Sequence, residues 1–161
     1  MHSLVRRYIK TAIAFLFVGL AIGGWMIVRR ELLQGGATSY EVSAHTHAIF
    51  VGFVMMMILG VALWLFPRPD KNDNRYRPAL AETAYWLLVI GTSTRIAGEL
   101  IRHDSNALWL RVMIIVSGFM QIVALAVYFY TMWSRIRALG SQPQPPALST
   151  PVADAGRCRT R

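Results

Sequence analysis

The sequence predicts an all-α integral membrane protein, a four-helix transmembrane bundle with its N- and C-termini cytoplasmic. Three observations carry that prediction. The 161-residue chain is 55% hydrophobic and holds several apolar runs of membrane-crossing length, which a soluble domain of this size does not usually contain. The runs are separated by short stretches rich in Gly, Pro, Asp and Asn. The basic residues lie beside the runs and are unequally shared between the two sides they define.

The first span is read at 11–28, after a short basic segment with Arg6, Arg7 and Lys10. No small-residue cleavage site follows it and Arg29-Arg30 closes it, so it is a retained helix rather than a signal peptide. A loop with Gly35-Gly36 as its turn signal leads to the second span, 44–66. That run is nearly uncharged and reaches across a hydrocarbon core of about 30 Å at about 1.5 Å per residue. It stops at Phe66-Pro67, where proline ends a helix. The polar segment 67–78 is a loop, and the third span follows at 79–101. The fourth is read at 108–133, with Gln121 in mid-span as an interhelical hydrogen-bonding group. Tyr128, Tyr130 and Trp133 form an expected interfacial belt. The membrane domain thus covers 1–137, and the Pro-, Ser- and Ala-rich stretch 138–161 is expected to be a disordered cytoplasmic tail.

Orientation follows from the charges. Of 17 Lys and Arg, Arg29, Arg30, Arg95, Arg102 and Arg111 fall on one side, and the other twelve share a side with both termini. The positive-inside rule makes that second side cytoplasmic. A multi-pass protein of a bacterial inner membrane is expected, in contact with lipid. The net charge of +9 is accounted for in this way, without nucleic acid as a partner. The single cysteine, Cys158, excludes an intrachain disulfide, and no CxxCH motif offers covalent haem attachment.

Three of the four histidines, His45, His47 and His103, fall at the outer end of the predicted bundle. Imidazole in a membrane span is costly without a partner or a function, so these are candidate metal ligands. At about 100° per residue, His45 and His47 point roughly 200° apart, and one helix cannot offer both to one ion. The face of His45 continues to Gly52, where a missing side chain leaves room for a flat macrocycle. Arg95, Glu99, Arg102 and His103 share a broad face of the third span, and Arg111 begins the fourth at the same level. Glu99 is placed to pair with Arg95 at i+4 or to orient His103 from i−4. Imidazole beside an arginine array suits haem b, with guanidinium groups for its propionates. The plainer readings are interfacial histidines that meet water, and an Arg95–Glu99 pair that only joins helices. Met55, Met56 and Met57 are soft enough for copper, but consecutive residues face different directions and suit packing better.

The pattern His45-Thr46-x5-Gly52, then Gly60, then Leu65-Phe66-Pro67, resembles the second helix of the catalytic subunit of haem-copper oxidases and nitric oxide reductases. It is also similar to the nitric-oxide-response haem membrane proteins, with matches at His45, His47, Gly52, Trp86 and Arg95. The resemblance implies an axial haem ligand at His45. A full oxidase subunit has about a dozen spans and further histidines, so this chain is a minimal relative without a binuclear centre of its own. The expectation is therefore a membrane haem b protein. His45 is the ligand, His47 or His103 a second candidate, and Gly52, Arg95, Arg102 and Arg111 bind the cofactor. Electron transfer or binding of a small gas (NO or O2) follows, with a homo-oligomer or respiratory-complex subunits as partners. If it is part of an enzyme, the class is a terminal oxidase or nitric oxide reductase-type oxidoreductase. The rivals are a haemless copper protein and a structural or assembly subunit.

Overall fold

The computed structural model describes residues 3–66, 78–102 and 107–136, and every regular element among them is helical. Helix α1 (Ser3–Glu31) begins well before the apolar run does. Its first turns are amphipathic: Arg6, Arg7 and Lys10 are exposed, while Val5 and Tyr8 are buried. Val5, Tyr8, Ala12, Phe15, Gly19 and Ile22 continue one buried stripe at intervals of three and four, the spacing of a single helix face. Gln34, at φ 50°, turns the chain after α1, and the Gly35 N–H donates back to the Arg29 carbonyl at 3.1 Å.

The second rod is continuous over 27 residues, Ser39–Leu65, but is not one kind of helix. It comprises α2 (Ser39–Thr46), a π-helix (His47–Met55) and α3 (Met56–Leu65). A capping box starts it. The Thr38 hydroxyl accepts from the Glu41 N–H, and the Glu41 carboxylate accepts from the Thr38 N–H. Nine residues of π-helix is long for a class that occurs mostly as single-turn bulges, often at functional sites.

Helix α4 (Pro78–Arg102) and α5 (Leu108–Met132) pair with one another, and a short 3-10 turn (Trp133–Arg135) ends the chain's described part. Near the ends of α4 and α1, the Arg7 guanidinium meets Glu82 at 2.7 Å, and Tyr85 and Thr11 share a hydroxyl hydrogen bond of 2.8 Å. Between helices in lipid there is no hydrophobic drive, so close packing and polar contacts must hold the rods together. Gly52 and Gly60 allow close approach to α1: a Cβ would lie 2.6 Å from the Phe15 ring at one and 2.9 Å from Tyr8 at the other. Mid-bundle, Gln121 donates to Thr92 at 3.2 Å, the interhelical bond expected of it.

The predicted helices are all present, with different bounds. Three of them, α1, the second rod and α5, are long and apolar enough to cross a membrane. Helix α4 is as long as α5, but Glu82, Arg95, Glu99 and Arg102 lower its hydropathy. Tyr128 is not a belt residue. It is 1% exposed, and its hydroxyl donates to the Leu59 carbonyl at 2.6 Å, while Tyr130 and Trp133 are exposed. Arg135, expected only as cytoplasmic charge, is buried and donates to the carbonyls of Leu63 and Phe66 at 3.3 and 2.8 Å. It thereby satisfies groups that the end of α3 leaves open. The predicted loop at 67–78, His103 and the predicted tail fall largely or wholly outside the described residues.

Candidate functional site

Helix α2 presents polar side chains to two neighbours. On the side of α1, His45 is partly buried against Gly19 and Gly23. Its Nδ1 lies 2.9 Å from the Gly19 carbonyl oxygen. A carbonyl only accepts, so Nδ1 carries the proton, and in the neutral ring Nε2 keeps its lone pair. That is the tautomer of a metal-ligating histidine whose other nitrogen is held by backbone. The ring fits because Gly23 has no side chain: a Cβ there would stand 2.9 Å from His45 Cε1.

His45 also lines a cleft of about 530 Å³, with Leu20, Gly23, Gly24, Ile27 and Arg30 among its walls. Cofactor-sized pockets run to roughly 300–1,000 Å³ and are mostly apolar with few polar groups. This cleft matches that description: a Cβ at Gly24 would meet nothing within 4 Å, and Arg30 supplies a cation at its wall. The cleft thus brings together one imidazole nitrogen, an apolar wall and a guanidinium.

On the side of α4 lies a polar cluster. Glu99 is 2% exposed, and its Oε1 accepts from Ser43 Oγ at 2.8 Å and Arg95 Nε at 3.1 Å. His47 Nδ1 donates to the Ser43 carbonyl at 2.8 Å and stands 3.7 Å from Glu99 Oε2. The Arg95 guanidinium extends toward α5, where only the absence of a side chain at Gly118 gives it room. A buried charge needs a partner, and Arg95 and Glu99 supply one another. Arg102 lies over the Tyr40 ring, 5.2 Å from its centroid.

The structure separates residues that the sequence suggested together. His45 and His47 face different helices, as the helical wheel requires. Arg95 and Arg102 stand on the α4 side with His47, not in the His45 cleft, and Arg111 is exposed on the first turn of α5. Gly52 does share the α1-facing side with His45, but the room it leaves is taken by Phe15. Trp86 is about half exposed and meets Tyr85 edge-on. Three contributors were not picked out from the sequence: Ser43, Arg30 and Glu41. Glu41 is 5% exposed and accepts from Arg29 Nη1 at 2.7 Å. The Thr38-x-x-Glu41 spacing is a readable capping-box signal, whereas Ser43 had none. Among the described residues no three His, Cys, Asp or Glu side chains are grouped to hold a metal ion.

The family model described as cytochrome c and quinol oxidase polypeptide I matches residues 3–149. The chain belongs to that family. It is a membrane protein of the oxidase subunit I type, and the polypeptide I family implies haem and copper cofactors in general. No curated protein and no solved structure matches it.

Proposed function

We propose that this polypeptide I-family protein binds haem b in the cleft between α1 and α2, with His45 Nε2 as the axial ligand. The single observation that carries the proposal is the 2.9 Å contact from His45 Nδ1 to the Gly19 carbonyl, which fixes the ligating tautomer at the wall of an apolar cleft. When bound, the haem supplies one-electron chemistry and an iron site for a small gas. The chain's own part is to orient the imidazole, exclude lipid with Leu20 and Ile27, and offer Arg30 to a carboxylate. Arg95, Arg102 and Arg111 fit a propionate role less well than Arg30, because none lines this cleft.

The remaining parts of the proposal are topological. All four rods cross a bacterial inner membrane, with α4 sheltered beside α5 and both termini cytoplasmic, as the charge count favours. The protein serves respiratory electron transfer or binding of NO or O2. A second axial ligand comes from His103, from a second copy, or from another respiratory subunit. The copper alternative needs ligands from more than one chain, because His45 and His47 face opposite helices.

The test is an absorption spectrum of the detergent-purified protein, oxidised and reduced, with a pyridine haemochrome assay. Haem binding predicts a b-type reduced band that H45A abolishes. Full-strength absorbance in H45A removes His45 as an essential ligand, and copper without a Soret band favours the alternative.

A further inference from the structure

Two of the buried polar groups among the described residues are carboxylates, Glu41 and Glu99, and both bear on the eight residues of α2. Glu41 ties α2 to α1 through Arg29. Glu99 ties it to α4 through the Ser43 hydroxyl. This double attachment has a physical reason. A residue's direction in a helix is set by the winding below it. Here the turns below α2 are a π-helix, whose i→i+5 pattern winds more widely than an α-helix. The direction of α2 is therefore not inherited from α3 through uniform α-helical winding, and contacts at its own level must define it.

Resting on the haem-site proposal above, we infer that Glu99 is a positioning residue for His45. Its buried carboxylate accepts the Ser43 hydroxyl and so fixes the rotation of α2 that brings His45 Nδ1 onto the Gly19 carbonyl. Ser43 and His45 are two residues apart on one short helix and face opposite neighbours. A rotation that breaks the Ser43–Glu99 bond on one side also draws His45 from Gly19 on the other. Arg95 completes the device. It holds the second lone-pair region of Glu99 Oε1 and neutralises a charge that lipid would not tolerate alone. His47, against Ser43 and 3.7 Å from Glu99, fills the remaining side of the cluster.

The test reads the His45 tautomer in the full-length protein without haem, so that it does not depend on haem binding. With ¹⁵N-histidine label the chain has four histidines, and H45A and H47A assign the two of interest. In the wild type the His45 ring nitrogens should show the widely split shifts of one tautomer. E99A should draw the two shifts together as α2 rotates and the Gly19 bond is lost. E99Q should keep them apart, because its amide oxygen still accepts from Ser43, and S43A should behave like E99A.

E99A leaves Arg95 without its carboxylate and is open to misfolding. The charge-neutral pair R95L/E99L removes the same support for Ser43, and it should converge the shifts with helicity retained. Hemin titration supplies a second readout, with an affinity loss on the order of 10-fold in S43A, at the lower end for outer-shell partners. Unchanged His45 shifts in R95L/E99L and S43A overturn the inference. A wild type that takes up no hemin but shows the tautomer effect overturns the haem proposal and leaves the positioning role standing.

Discussion

Replacing Gly23 by alanine tests the geometry of the cleft most directly, because Gly24 beside it is an internal control. A Cβ at position 23 would lie 2.9 Å from His45 Cε1 and 3.2 Å from Nδ1, both atoms of a rigid ring that can yield only as a whole. Relief requires the imidazole to move off the Gly19 carbonyl. Overpacking of this kind costs roughly 1–3 kcal/mol. The lost hydrogen bond adds about 1 kcal/mol. Alanine returns about 1 kcal/mol of helix propensity. The net expectation for G23A is a loss of roughly 1–3 kcal/mol by that sum. At Gly24 nothing lies within 4 Å, so G24A should be neutral or gain up to about 1 kcal/mol. The two neighbours should thus differ by roughly 1–4 kcal/mol on the same balance. Unfolding in mixed micelles, followed by circular dichroism, measures the difference. Hemin titration then separates the roles: G23A should bind weakly because His45 is displaced. G24A should bind weakly because a methyl group occupies the cleft, without loss of stability. Equal stabilities for the two variants would refute the packing of His45 against α1.

Three further outcomes follow from individual contacts. Y128F removes the hydroxyl that donates to the Leu59 carbonyl and should cost about 1 kcal/mol in the same micelle assay. T38A removes the capping hydroxyl of α2, with a similar loss of about 1 kcal/mol, and proteolysis should detect a looser 32–38 segment. E82Q breaks the Arg7–Glu82 ion pair, whose side chains are each 50% exposed, and should change stability by no more than about 1 kcal/mol. A large effect there would mean that the pair is covered in the assembled protein.

Much of this architecture was legible from residue order. Length and hydropathy identify three of the rods directly, and the Arg95–Glu99 spacing announces its own ion pair. The divergence of His45 and His47 follows from two residues of helical rotation. What the sequence concealed depends on contacts between distant segments. Tyr128 resembles a membrane-interface residue until α3 is seen to bring the Leu59 carbonyl to it. Gly52 reads as vacant space for a ligand because nothing local says that Phe15, on another helix, will occupy it. Arg135 counts as one more cytoplasmic charge until it is found against the end of α3. The placement of Arg95 away from His45 has the same origin, since level in the membrane is readable from sequence but side is not. The π-helix has no compositional signature: His47–Met55 is as apolar as the α-helix that follows it.

The π-helix has a consequence for how the gene can vary. A point substitution between His47 and Met55 alters local contacts, most of all at Gly52, where a Cβ would meet the Phe15 ring. Loss of one codon from the same stretch is a different event. A π turn holds more residues than an α turn, so a stretch one residue shorter rewinds toward α-helix and keeps α2 close to its direction over α3. His45 then stays at α1 and Ser43 at Glu99, whereas the same loss from α3 would turn both by about 100°. The segment is therefore the part of the second rod in which the loss of one residue disturbs the site least.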